Sequence, residues 1–273
     1  MSNGSYVLAE GNLRVGIDPE LGGRIFSVQI DGKELLLQSR PGLLNWGSTL
    51  WPAPQSRWNW PPPAAIQLGK YASKIQGDKL ILESPTDTTF GFRAIKTFSF
   101  DKEKSGLTIE YTFINDADSA QHVGPWEISC VPAEGIVFFP LGAEPANSSG
   151  NLAIEQVGGI ALLRYDPNIP APPQKLYNNA TEGWLAHVNE DQVLFVKSFA
   201  KIPAEDLAPG QGNVEVYVNK ELSYIELENH GAYRLLQPGQ SLKYQVTWYV
   251  RQLKAEEAIF NQDLVALVRD LVK

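Results

Sequence analysis

From Tyr6 to Val250 the chain repeats one device: a short run of alternating apolar and polar side chains, closed by a turn residue. Leu107 to Phe113 reads Leu, Thr, Ile, Glu, Tyr, Thr, Phe, which puts one apolar face on a period of two. That period belongs to a half-buried strand and cannot be served by a helix. Ile25 to Ile30, then Asp31-Gly32, then Glu34 to Leu37 is a hairpin signature, because Asp-Gly tolerates the positive φ of a tight turn. Gly11-Asn12, Gly77-Asp78, Asp101 to Gly106 and Leu236 to Gln240 punctuate in the same way. Roughly fifteen such runs, with turns every 8–12 residues and no interleaved helices, predict a large all-β antiparallel sandwich or barrel. Only the tail changes period. From Ala255 to Val272 the apolar residues Ile259, Phe260, Leu264, Leu267, Val268 and Leu271 fall at three- and four-residue steps. This is an amphipathic helix suited to covering an open sheet face or edge, or else to meeting a partner. No repeat or Gly/Ser-rich linker divides the chain. One domain over residues 1–273 is therefore expected, with the sandwich at about 6–252 and the helix at about 255–272.

A second feature stands apart. Leu50 to Pro63, LWPAPQSRWNWPPP, holds Trp51, Trp58, Trp60, Arg57 and five prolines. Each proline lacks an N–H and fixes φ, so this stretch is expected to be an ordered, non-repetitive loop rather than a helix or central strand. Flat indoles beside a guanidinium suit a ligand with apolar faces and a hydroxylated rim, such as a pyranose sugar. The alternative is that the tryptophans plug the core and the prolines only stiffen the loop. Pro167 to Pro173 reads as a second stiff loop, and Gly124-Pro125 as a break at the start of the strand His122 to Val131.

Charge and cysteine content narrow the partners. The formal net charge is -8 and the pI is near 5.0, which disfavours nucleic acid and anionic membrane surfaces. Cys130 is the only cysteine, so no intrachain disulfide or cysteine-based metal site can form, and it reads as a small buried hydrophobe. No apolar run is long enough for a membrane-spanning helix. The opening residues lack the basic and apolar regions of a signal peptide. Both a cytoplasmic protein and a secreted one stripped of its signal fit, and the oligomeric state is left open. The sequence has no nucleotide-binding glycine pattern, P-loop or nucleophile elbow, so no cofactor and no metal are expected.

In their order and spacing the residues resemble the galactose mutarotase-like family, which includes aldose 1-epimerases. Three places carry the resemblance across about residues 6 to 252. The first is Glu20-Leu21-Gly22-Gly23-Arg24-Ile25-Phe26-Ser27-Val28 with Gly32-Lys33-Glu34. The second is Leu107 to Asn115 followed by Gly124-Pro125-Trp126. The third is Tyr224-Ile225-Glu226-Leu227-Glu228, then Leu236 to Gln240 and the strand to Trp248. The Trp-Pro-Ala-Pro-Gln stretch departs from the mutarotase pattern and marks a separate branch.

The resemblance implies an antiparallel β-supersandwich that binds a small-molecule carbohydrate. In mutarotases a glutamate on a late strand is the general base and a histidine on a mid-chain strand the general acid. The glutamate corresponds to Glu226, with Glu228 two residues on and on the same strand face. Glycine stands where the acid histidine belongs, at Gly124, so the acid is sought at His122, two residues earlier, or at His187. The expected sugar platform is Trp51, Arg57, Trp58, Trp60 and Trp126, with Arg57 or Lys175 as the cation near the glutamates. Two functions stay open on this reading: an aldose 1-epimerase-like isomerase, and a sugar-binding or interaction module without catalysis. The glycine at the acid position favours the second, and the glutamate pair favours the first.

Overall fold

The alternating runs become two antiparallel sheets packed face to face, and the period change at the tail becomes a helix on the outside. The computed structural model describes residues 4–101, 106–141, 149–170 and 173–273. Residues 102–105 of the expected Asp101–Gly106 turn and residues 171–172 of the second proline loop lie outside them.

Among the described residues the front sheet has eleven strands. From one edge they run Tyr6–Glu10, Leu13–Asp18, Arg24–Ile30, Ser48–Ala53, Gln121–Pro132, Tyr224–His230, Val214–Asn219, Gln174–Asn178 and Ser149–Gly150. Lys33–Glu34 pairs with the third of these and Arg234–Leu236 with the start of the fifth. The back sheet has ten strands. Its centre is the ladder of Val193–Phe199, Ser241–Gln252, Gly106–Asn115 and Phe92–Asp101. The inward side chains of both sheets, among them Val131, Val216, Leu227, Ile109, Phe113 and Trp248, form one apolar core. This is the antiparallel β-supersandwich expected of a galactose mutarotase-like chain. No helix of the described residues is long and apolar enough to cross a membrane.

The structure corrects three details. Leu50 to Ala53 is not loop but part of the fully buried central strand Ser48–Ala53. Pro52 is tolerated because it faces Pro125 across the ladder, and because the strand's other edge pairs with Arg24–Ile30 only at Ser48. For the same reason Gly124-Pro125 does not break its strand. Gln121–Val123 pairs with Arg234–Leu236 and Trp126 onward with Tyr224–His230, so Pro125 sits in the gap between two partners. The tail helix begins at Gln262, later than its pattern suggests, where the Asn261 side chain accepts from the Leu264 N–H. Leu264, Val265 and Val268 bury against Phe138, Leu162, Trp184 and Ala186 on the outer face of the back sheet.

One buried ion pair crosses between the sheets. Glu127 of the front sheet and Lys197 of the back sheet are both fully buried, and the Lys197 ammonium lies 3.0 Å from the Glu127 carboxylate. Tyr111 donates to the same carboxylate at 2.6 Å, and the Lys197 ammonium also donates to the Leu227 carbonyl at 2.7 Å. Removing one partner of such a pair strands the other charge in the core. Lys197→Met is expected to destabilise the protein by about 3–5 kcal/mol in urea unfolding. Adding Glu127→Gln should return part of that loss; a single variant as stable as wild type would show the pair to be dispensable.

Candidate functional site

On the front sheet, the residues that alternate with the core-facing ones emerge on the side away from the back sheet. Trp126, Ile128 and Cys130 do so from one strand, and Tyr224, Glu226, Glu228 and His230 from its neighbour. Glu215 and Tyr217 follow from the next strand and Lys175 and Tyr177 from the one beyond, in register with the glutamates. Strand alternation and ladder order thus place all of these on one face. A cavity of about 390 Å³ opens over them. Trp51, Trp60 and Trp126 form one side, Tyr177, Tyr217 and Tyr224 the other, and Glu226 and Lys175 the polar floor, with Gln55 at the rim.

The aromatic side is built from a loop and a strand. The turn Leu21 to Arg24 needs glycine at Gly22: its φ is +67°, and a Cβ there would lie 2.2 Å from the Gln67 carbonyl. That close approach seats the short helix Ala64–Gln67, and the Gln67 side chain accepts from Trp51 Nε1 at 2.7 Å and from Thr49 at 3.0 Å. Trp51 is thereby held edge-on to Trp126, with ring centroids 5.0 Å apart, and edge-on to Trp60 at 5.7 Å. Trp51 and Trp126 are buried, whereas Trp60 is 48% exposed. Trp60 therefore has the most open indole of the three, and the other two act as walls.

The floor is a cluster of three carboxylates and one ammonium. Lys175 Nζ lies 2.7 Å from Glu215 and 2.8 Å from Glu228, bridging them. Burial alone would push its pKa down, but the Glu228 and Glu215 charges outweigh it and hold the ammonium protonated. Glu228 also accepts from Trp126 Nε1 at 2.7 Å. Glu215 meets His230 Nε2 at 3.2 Å, and His230 stacks on Trp126. Glu226 accepts from the Asn45 amide at 2.6 Å. Burial, and then the neighbouring Glu228 charge, raises the Glu226 pKa well above the usual carboxylate range. Glu215, Glu228 and His230 offer ligand atoms within 4.8 Å of one another, a spacing that could hold a metal ion. Lys175 already supplies a cation to two of the three.

The sequence candidates separate accordingly. Trp51, Trp60, Trp126, Lys175 and Glu226 line the cavity, and Glu228 lies buried beneath it, bonded to Lys175 and Trp126. Trp58 does not line it; half-buried, it packs against Trp51 and Trp126 and donates to the Pro52 carbonyl at 2.7 Å. Arg57 also stays out. Its guanidinium binds the His122 carbonyl and the Gln121 side chain and lies over Phe90, pinning the loop to the strand start. His122 is exposed and stacks on Tyr233. The same Tyr233 stands against Gly124, so an aromatic from a later segment backs that position. His187 belongs to the back sheet, buried between the sheets against the Glu134 carbonyl, and burial pushes its pKa down to about 4. Neither histidine lines the cavity.

Sequence reasoning missed Tyr177, Tyr217, Tyr224, Gln55, Asn45, Glu215 and His230. A signal existed for some of them. Tyr224 and His230 share the period of Glu226, and Glu215-Val216-Tyr217 alternates on a strand joined to it by a short turn. Nothing local marks Asn45, which comes from a loop far off in the chain.

Because the Glu226 pKa is raised above its unfolded value near 4.5, the native state binds the extra proton. The contribution of neutral Glu226 is present at low pH and is lost as pH rises from about 4.5 through the raised folded pKa. The melting temperature of Glu226→Gln relative to wild type should therefore climb by several degrees between pH 4 and pH 9. A difference that stays flat across that range would show that the carboxyl titrates in the native state as it does in the unfolded chain.

Comparisons with known proteins bear on the fold. A family model described as a domain of unknown function (DUF4380) matches residues 52–251. A TPR-domain containing protein from Parabacteroides distasonis superposes with a TM-score of 0.67 at 14% identity, covering 92% of this chain. The match spans 47% of that longer protein, about half its length. A galactose mutarotase-like protein from Lactobacillus casei gives 0.65 at 10% identity, covering 91% of this chain and 100% of its own. A galactose mutarotase related enzyme from Lactobacillus acidophilus gives 0.65 at 9% identity, covering 92% and 99%. No curated protein matches the chain. At these identities the likeness establishes the galactose mutarotase-like fold and nothing finer.

Proposed function

The chain belongs to the DUF4380 family, and from its site we propose that it binds a carbohydrate in the Glu226 cavity and exchanges a proton with it there, as an aldose 1-epimerase-like isomerase does. One observation carries this reading. A buried carboxyl with a raised pKa sits on the floor of a cavity walled by tryptophans and tyrosines. A carboxyl poised toward neutrality is suited to both taking and returning a proton. Aromatic walls suit the apolar faces of a sugar ring, and the tyrosine hydroxyls, Gln55 and Lys175 suit its hydroxyl rim.

Ring opening at the anomeric carbon needs a base for the anomeric hydroxyl and a donor for the ring oxygen. Glu226, in its ionised form, is the base in this proposal. Asn45 donates to Oε1 and orients the carboxyl. Among the described residues no histidine lines the cavity, so the donor comes from the tyrosine hydroxyls across from it or from Lys175. The missing histidine favours a second reading, a sugar-binding module that does no chemistry.

Polarimetry on freshly dissolved α-glucose and α-galactose separates the two. The isomerase predicts faster mutarotation with wild type and a loss of about 100-fold or more in Glu226→Gln. Unchanged mutarotation with sugar binding retained leaves the binding module and removes the isomerase for those sugars. Trp60→Ala should weaken binding by about two- to tenfold in a tryptophan-fluorescence titration, the range of one lost aromatic contact. Wild-type fluorescence indifferent to a broad sugar panel would overturn both readings.

A further inference from the structure

The Glu226 cavity does not end at its own rim. A second cavity of about 180 Å³ adjoins it, and Gln55, Trp126, Lys175 and Tyr177 line both. The two therefore meet over a saddle made by Trp126 and Tyr177, with the Lys175 ammonium 5.2 Å from the centroid of each ring. Two turns wall the second cavity. One is the segment Pro54 to Ser56, opening the helical turn Gln55–Arg57. The other is the turn Ala208 to Gln211, closed by the Gln211 N–H on the Ala208 carbonyl at 3.1 Å. The Gln211 side-chain oxygen is shielded from solvent and has no hydrogen-bond partner among the described residues. A buried acceptor left unpaired is costly, and because Gln211 lines the second cavity, a rotation of its amide would bring that acceptor to a hydroxyl donor there.

Charge restricts what can lie in this cleft. Glu215, Glu226 and Glu228 surround it, and Lys175, the cation lining it among the described residues, is already shared by two of them. Arg57 is committed elsewhere. A phosphate or a carboxylate would meet carboxylates with no spare cation, whereas neutral hydroxyls would meet acceptors and aromatic faces.

We propose that the site takes a neutral glycan of at least two linked sugar units, one in the Glu226 cavity and the next in the Gln211 cavity. This rests on the carbohydrate reading above and adds length and charge to it. The first unit lies between Trp60 and the tyrosines. The linkage crosses the Trp126–Tyr177 saddle, and the second unit places a hydroxyl on Gln211 and packs against Pro209.

Calorimetric titration of the full chain with glucose, galactose, maltose, cellobiose, lactose and glucose 6-phosphate tests this. At least one disaccharide is expected to bind about tenfold or more tighter than either monosaccharide, and glucose 6-phosphate more weakly than glucose. Gln211→Ala should weaken that disaccharide about fivefold and leave the monosaccharide unchanged, the size of one hydrogen bond. Ser56→Tyr, at an exposed turn position, should fill the second cavity and abolish the disaccharide preference while monosaccharide binding persists. Monosaccharides binding as tightly as every disaccharide, or a preference untouched by both variants, overturns the two-unit site and leaves the carbohydrate reading standing. Binding of none of the neutral sugars overturns both.

Discussion

The molecule depends on a salt bridge that joins its two sheets through the core. Glu127 and Lys197 are fully buried, and Tyr111 and Trp248 add donors to the carboxylate. A buried charge is tolerated only when it is paired and hydrogen-bonded. The pair therefore ties the strand Gln121–Pro132 to the strand Val193–Phe199 at one register. Strand alternation does the rest. With Glu127 committed inward, Trp126 and Ile128 must point outward, and the face that carries the cavity is set. A slip of one residue would bury Trp126 in the core and place a charge at the cavity wall.

The outward face solves a related electrostatic problem differently. Glu215, Glu226 and Glu228 come from two neighbouring strands, and they cannot all ionise so close together without a cation. Lys175 bridges two of them; burial, and then the Glu228 charge, raises the pKa of Glu226, which Asn45 holds, and burial raises that of Glu228 too. Under the function proposed above, Glu226 is the carboxyl of the three that exchanges the proton. Among the described residues the same sharing leaves no spare positive charge in the cleft, which supports the neutral ligand proposed for it.

Much of this was legible in the chain. The period-two runs with their Asp-Gly and Gly-Asn turns forced an antiparallel all-β architecture, because no other backbone presents alternate residues to one face. The tail's change of period identified the long tail helix, although the Asn261 cap starts it later than the apolar spacing does. Pairing Glu226 with Glu228 on a single face followed from alternation alone, and the tryptophan-rich stretch pointed to the region that walls the cavity. The reading of that stretch as pure loop failed at Leu50 to Ala53. Proline's exclusion from a central strand lapses where two prolines face each other at a gap in the ladder.

What only the tertiary structure decided was which chemistry-bearing residues meet. Local spacing records which side of its own strand a residue occupies, but not which strands become neighbours. Lys175 and Glu228 are 53 residues apart, and Asn45 and Glu226 are 181 apart, yet each pair is in hydrogen-bond contact. Ladder order brings these together and sends others away: His187 into the core, His122 out to Tyr233, and Arg57 onto the strand end. The sequence by itself determined the alternation, the turns and the aromatic inventory, because those are properties of neighbouring residues. The partners of Glu226, its raised pKa and the joined cavities arise from packing between distant segments, and no local pattern encodes that packing.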